Sequence, residues 1–103
     1  MITHVVVFWT NQPYEDSAAA LYERAKKLQS IPGVENFRCG CPVPSPRGSV
    51  DDSFQVALSM DFKDQATADA YQSHPDHVDF VENGFKKFAS RVVIYDFETV
   101  APL

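Results

Sequence analysis

Basic charge, glycine, cysteine and long apolar runs are all scarce in this sequence, and each shortage excludes something. Nine Lys and Arg stand against fourteen Asp and Glu, a formal net charge of −5 with a pI near 4.9. A chain of that sign repels phosphate backbones and anionic lipid, so no nucleic-acid or membrane partner is expected. The longest apolar run, Val5 to Trp9, suits a buried strand and falls far short of a bilayer span. No basic segment followed by an apolar stretch opens the chain, so a signal peptide is not expected and the default location is cytoplasmic. The four glycines build no phosphate loop, and no serine sits in a nucleophile-elbow motif. The two cysteines, Cys39 and Cys41, have one residue between them, which strains any disulfide. Two thiols cannot complete a zinc tetrahedron, so reduced thiols at a strand end are expected.

What remains is an ordinary globular composition, with 45% hydrophobic and 22% charged residues in 103, enough for one domain over residues 1–103. Thr3 to Trp9 is β-branched and aromatic, and both alternating sets are apolar, so it reads as a central strand. From Glu15 to Ser30 the positions Ala18, Leu21, Tyr22, Ala25 and Leu28 recur at helical spacing, and Ile31-Pro32-Gly33 stops the helix. Val34 to Cys41 is a weaker strand, followed by a proline-rich loop over Pro42–Gly48. Ser53 to Asp61 alternates, with Phe54, Val56, Leu58 and Met60 on one face. Asp64 to Gln72 reads as a short helix capped by Asp64. A further helix follows Pro75 with the stripe Val78, Val81, Phe85 and Phe88, and Arg91 to Glu98 is a last strand.

The order is βαββαβ. Right-handed crossovers then place both helices on one face of a four-stranded antiparallel sheet, a ferredoxin-like α+β protomer. The other face carries Val5, Val7, Trp9, Val93, Tyr95 and Phe97, and nothing left in the chain covers it. An apolar patch of that size predicts a homodimer packed sheet to sheet.

The segment Tyr71-Gln-Ser-His74-Pro-Asp-His77 holds two of the three histidines; the third, His4, lies alone in the first strand. With Ser73 as N-cap and Pro75 in the first turn, His77 falls beside the start of a helix. The positive helix end lowers its pKa, while Asp76 and Asp79 push the other way. His77 shares a face with Val81, Gly84 and Phe88, directed at the sheet where His4, Val6, Phe8, Phe54, Val56 and Leu58 point. Tyr71 ends the preceding helix and reaches the same region. The expectation is a small apolar pocket with a few polar groups, or a core histidine bonded to a backbone carbonyl beside a gap-filling tyrosine. A metal held by His4, His74 and His77 is not assigned, because His74 and His77 need not share a face and no carboxylate is clearly placed.

The segments His4–Phe8, Ile31–Val34, Ala70–Val78 and Val92–Phe97, above all Tyr-x-x-His-Pro-x-His, resemble the stress-responsive α/β-barrel (Dabb) family over nearly the whole chain. The resemblance implies a ferredoxin-like protomer and a homodimer whose two sheets form a dimeric α+β barrel. Family members that act as plant polyketide cyclases need no metal or redox cofactor. There a histidine is the base and a tyrosine assists ring closure, roles that fall on His77 and Tyr71, with His4 lining the pocket. Val6, Phe8, Leu58 and His74 are the further substrate-binding candidates. Ala20, Leu21 and Arg24 stand where those cyclases carry bulky aromatics, which argues against the same substrate. Three readings follow: a cofactor-independent cyclase, isomerase or lyase acting on a small apolar or aromatic carbonyl compound; a non-catalytic ligand-binding or stress-response dimer; and a haem-handling or cofactor-free monooxygenase of the same superfamily.

Overall fold

The central strand β1 (Ile2–Thr10) pairs antiparallel with β3 (Val56–Phe62) on one side and β4 (Ala89–Glu98) on the other. Its β-branched and aromatic side chains favour extended backbone. β2 (Glu35–Gly40) joins the far edge of β3. The result is a four-stranded antiparallel sheet in the order β2-β3-β1-β4. The computed structural model describes residues 1–102, and Leu103, the last residue of the expected 1–103 domain, lies outside them.

β3 begins at Val56 rather than at Ser53. Gln55 is drawn to the end of β1, where its Oε1 accepts from the Thr10 backbone N–H at 2.7 Å and its own N–H donates to the Phe8 carbonyl at 3.0 Å. The bend breaks the two-residue alternation, so Phe54 does not share the face of Val56 as expected. It turns to the opposite side of the sheet, against Val7, Trp9, Val93 and Tyr95.

α1 (Tyr14–Ala25) tightens into a 3₁₀ turn over Lys26–Ser30. Ser17, Leu21, Ala25 and Leu28 are its buried residues, a three-to-four spacing that turns one stripe to the sheet. Gly33 reverses the chain at φ +90, and a Cβ there would stand 2.3 Å from Thr67 Cγ2, so both backbone and packing require glycine.

α2 (Gln65–Ser73) starts at Asp64, whose side chain accepts from the Thr67 N–H at 2.8 Å as expected. α3 (Pro75–Phe80) continues through a wide π turn, Val81–Phe85, into a last turn, Lys86–Phe88. Ser73 is not the cap of α3. It closes α2, its hydroxyl donating to the Ala70 carbonyl, while the His74 ring accepts from the Asp76 N–H at 3.1 Å. Proline disfavours helical backbone in the residue before it, so the extended cap falls on His74. The inward set of α3 and its π turn is His77, Phe80, Val81, Gly84 and Phe85. Val78 is 48% exposed and Phe80 only 6%; a polar residue leads the inward face, so a stripe read from apolar residues alone starts one position late.

Both helices cover one face of the sheet. Val6, Phe8, Leu58, Met60 and Phe62 from the strands meet Leu21, Leu28, Ile31, Tyr71 and Phe80 in one buried cluster. Each fully buried large apolar side chain contributes about 1.5–3 kcal/mol. On the other face Tyr95 is 62% and Phe97 56% exposed. There Trp9 donates to Ser53 Oγ at 3.0 Å and lies under the Arg91 guanidinium at 4.3 Å.

Candidate functional site

Between the sheet and α2–α3 lies a cavity of about 200 Å³. His4, Val6, Phe8 and Leu58 floor it from the sheet, Leu28 closes one side, and Tyr71, Gln72, His77, Phe80, Val81 and Phe85 roof it. It adjoins a second recess of about 340 Å³, with which it shares His4, Gln72 and Ile94. A wider depression over Gln12–Asp16 is formed by exposed residues and holds no buried titratable group.

Tyr71 and His77 stand on either side of the α2–α3 break, with ring centroids 4.6 Å apart. The Tyr71 ring also meets Phe62 at 5.1 Å and His4 at 6.0 Å. It is 2% exposed, and burial pushes its phenol far above the usual tyrosine range. Tyr71 is therefore a neutral hydrogen-bond donor; its hydroxyl bonds no described residue, and since no sealed polar side-chain atom goes without a partner, that oxygen opens onto the cavity.

His77 Nδ1 lies 3.0 Å from the Gln72 carbonyl. A carbonyl oxygen only accepts, so Nδ1 carries the hydrogen and the lone pair of the neutral ring sits on Nε2. The Gln72 carbonyl belongs to the last turn of α2, where no intrahelical donor remains. His77 thus closes one helix while lying in the first turn of the next. Burial pushes the His77 pKa down; the bond to Gln72 opposes this and nearby His4 adds to it. The dominant cause is loss of water rather than the charge balance of Asp76 and Asp79, which are exposed.

His4 is 6% exposed, and its Nδ1 meets Asp96 Oδ1 at 2.5 Å across the β1–β4 register. The carboxylate only accepts, so Nδ1 carries a hydrogen. His4, Val6, Phe8, Leu58, Tyr71 and His77 are thus brought to one cavity, whereas His74 is not: its ring is used as the cap of α3. Gln72, Phe80 and Asp96 escape the sequence reading. Asp96 is found only through strand register, and Gln72 acts through a backbone atom that its side chain does not advertise. Cys39, half-buried in β2, has its thiol pushed up to about 11 by burial, partly offset by a bond to the Gly40 backbone, and it lies away from the cavity.

Strand order, the one-sided helices and the cavity beneath them define a ferredoxin-like α+β protomer with a partly open cavity at the α2–α3 joint. The chain belongs to the stress responsive A/B barrel domain family, whose model matches residues 2–99. Among solved structures it is similar to a Dabb protein with a ferredoxin-like fold from Mesorhizobium loti, at 28% identity and TM-score 0.79 over 97% of each chain. A dimeric ferredoxin-like protein from Thermobifida fusca shares 23% identity and TM-score 0.76 over 95% of this chain and 90% of its own. A hydroxynitrile lyase from Passiflora edulis shares the fold at TM-score 0.81 and 16% identity, covering 99% of this chain and 95% of its own. No curated protein sequence matches. Among the described residues no helix is long and apolar enough to cross a membrane, and no cluster of three potential metal ligands occurs.

Proposed function

We propose that this chain is a homodimeric protein that abstracts a proton from a small apolar or aromatic carbonyl compound, without a redox cofactor, in one cavity per protomer. The observation that carries this reading is His77. It is held as a neutral ring with Nδ1–H on the Gln72 carbonyl, half-desolvated, and set against a tyrosine whose hydroxyl is unspent. A base whose pKa falls below the ordinary value stays unprotonated near neutral pH. His77 Nε2 takes a proton from the carbon next to the carbonyl. The electron pair moves onto the carbonyl oxygen, where the Tyr71 hydroxyl donates to the developing charge. The enolate then takes a proton at carbon, adds to an internal carbonyl carbon whose oxygen takes up the proton, or expels a leaving group from the next carbon with its bonding electrons, giving isomerisation, cyclisation or elimination. His4, oriented by Asp96, is the second proton carrier.

The cavity of about 200 Å³ by itself lies below the roughly 300–1,000 Å³ usual for ligand pockets and suits a compact substrate, with further room only through the adjoining recess at His4, Gln72 and Ile94. Pairing of protomers through the outer sheet face is supported by the exposure of Tyr95 and Phe97 and by the dimeric state of the Thermobifida fusca relative. That the Passiflora edulis protein of the same fold is a hydroxynitrile lyase supports a catalytic reading of the cavity.

The test is proton exchange at the methyl group of acetophenone in deuterated buffer, followed by NMR. The wild type should exceed the buffer rate, and His77→Ala should lose about 10²–10⁴ of that enhancement. Acetophenone that binds with no faster exchange would instead identify a non-catalytic binding protein. Exchange that survives His77→Ala would remove His77 from the chemistry.

A further inference from the structure

The cavity lining divides into two ring clusters. One is His4, Tyr71 and His77; the other is Phe8, which meets Phe80 at 5.9 Å and Phe85 at 6.1 Å. Phe80 immediately precedes the π turn Val81–Phe85, and Val81 and Phe85 belong to it. Within that turn the Lys86 N–H reaches back five residues to the Val81 carbonyl. The extra width lets Phe80, Val81 and Phe85 all face the cavity, and such turns occur often at functional sites.

Behind the turn stands Gly84, which is buried. A Cβ there would lie 3.1 and 3.3 Å from the Phe80 ring and 3.6 Å from Arg24 Cδ. An added Cβ would therefore press on the Phe80 ring, which is itself a cavity wall and would have to give by a few tenths of an ångström, while only touching Arg24.

Resting on the carbonyl reading above, we propose that the π turn is the wall that sets substrate length. The carbonyl sits at Tyr71 and His77, and the remainder of the molecule runs toward Phe80 and Phe85. The substrate class is then aryl or short-chain alkyl carbonyl compounds, cut off in length where the two phenylalanines close the cavity. Gly84 acts at one remove: it is a positioning residue that fixes where the Phe80 ring stands.

The experiment measures binding of a homologous series, acetophenone through hexanophenone, by calorimetry or ligand-observed NMR. The wild type should show a chain length beyond which affinity stops rising and falls. Phe85→Ala should move that limit outward, with about tenfold or greater gain for the first excluded homologue, the scale of one methylene in an apolar pocket. Gly84→Ala should move it inward, and His77→Gln should leave it where it is. Where Gly84→Ala does not fold to the wild-type near-ultraviolet spectrum, Phe85→Ala decides. A limit unmoved by Phe85→Ala overturns the wall while leaving the carbonyl reading intact. Failure of every phenone to bind the wild type overturns the carbonyl reading and the wall with it.

Discussion

Tyr71→Phe separates function from packing more cleanly than any other single change. The substitution keeps the ring that meets Phe62, His4 and His77 and removes only a hydroxyl that has no partner among the described residues. A sealed, unpartnered hydroxyl costs about 1–3 kcal/mol, but no sealed polar side-chain atom here lacks a partner, so the Tyr71 hydroxyl opens onto the cavity and carries at most a part of that cost. The net expectation is a variant as stable as the wild type or more stable by up to about 1 kcal/mol. For a domain of this size that is a rise in Tm of up to about 4–8 °C. Exchange into acetophenone should meanwhile fall by roughly 10²–10³, the usual loss of one oxyanion donor. The assay pairs urea denaturation at fixed protomer concentration, since the proposed dimer would link stability to concentration, with the NMR exchange rate. A loss of 1 kcal/mol or more would mean the hydroxyl is engaged in holding the fold. Unchanged exchange would mean it does not touch the substrate.

Three further outcomes follow from the same geometry. Burial holds the folded His77 pKa below its ordinary value of about 6.5, so His77 contributes stability that is present above about pH 6.5 and lost as pH falls through the lowered value. Exchange should fail over the same acid range, and a histidine NMR titration placing His77 above 6.5 would contradict both. Asp96→Asn replaces an acceptor with an amide that also donates; nitrogen chemical shifts should then report loss of the fixed Nδ1–H tautomer of His4, and an unchanged tautomer would remove Asp96 as its orienting group. Tyr95→Lys places a charge in the exposed face where Tyr95 is 62% accessible, and sedimentation should show protomers at concentrations where the wild type is dimeric. A dimer that persists unchanged would move the interface elsewhere.

Strand and helix existence was legible because the apolar periods are regular: two in the strands, and three to four in α1. The failures cluster where one residue's backbone duties outrank its side-chain pattern. Gln55 bonds the end of β1, and Phe54 is thrown to the other face. Pro75 forces His74 into the cap that Ser73 was expected to provide. A histidine leads the inward face of α3, so a stripe of apolar residues alone includes the exposed Val78 and omits the buried Phe80. The site itself was half legible. Tyr71, His77 and His4 stand out as rare residue types near apolar segments. Asp96 and the Gln72 carbonyl do not, because strand register and a helix-end carbonyl are properties of the fold.

The break between α2 and α3 has a mechanical consequence. Tyr71 belongs to one helix and His77 to the next, so their spacing is governed by the torsions of a single dipeptide, His74-Pro75, rather than by the rigid rise of a helix. The same joint supplies the carbonyl that chooses the tautomer of His77. The tautomer of His77, its ring orientation and its distance to the phenol are therefore coupled through one joint. A change at Pro75 would alter all three together while leaving every side chain of the pair in place.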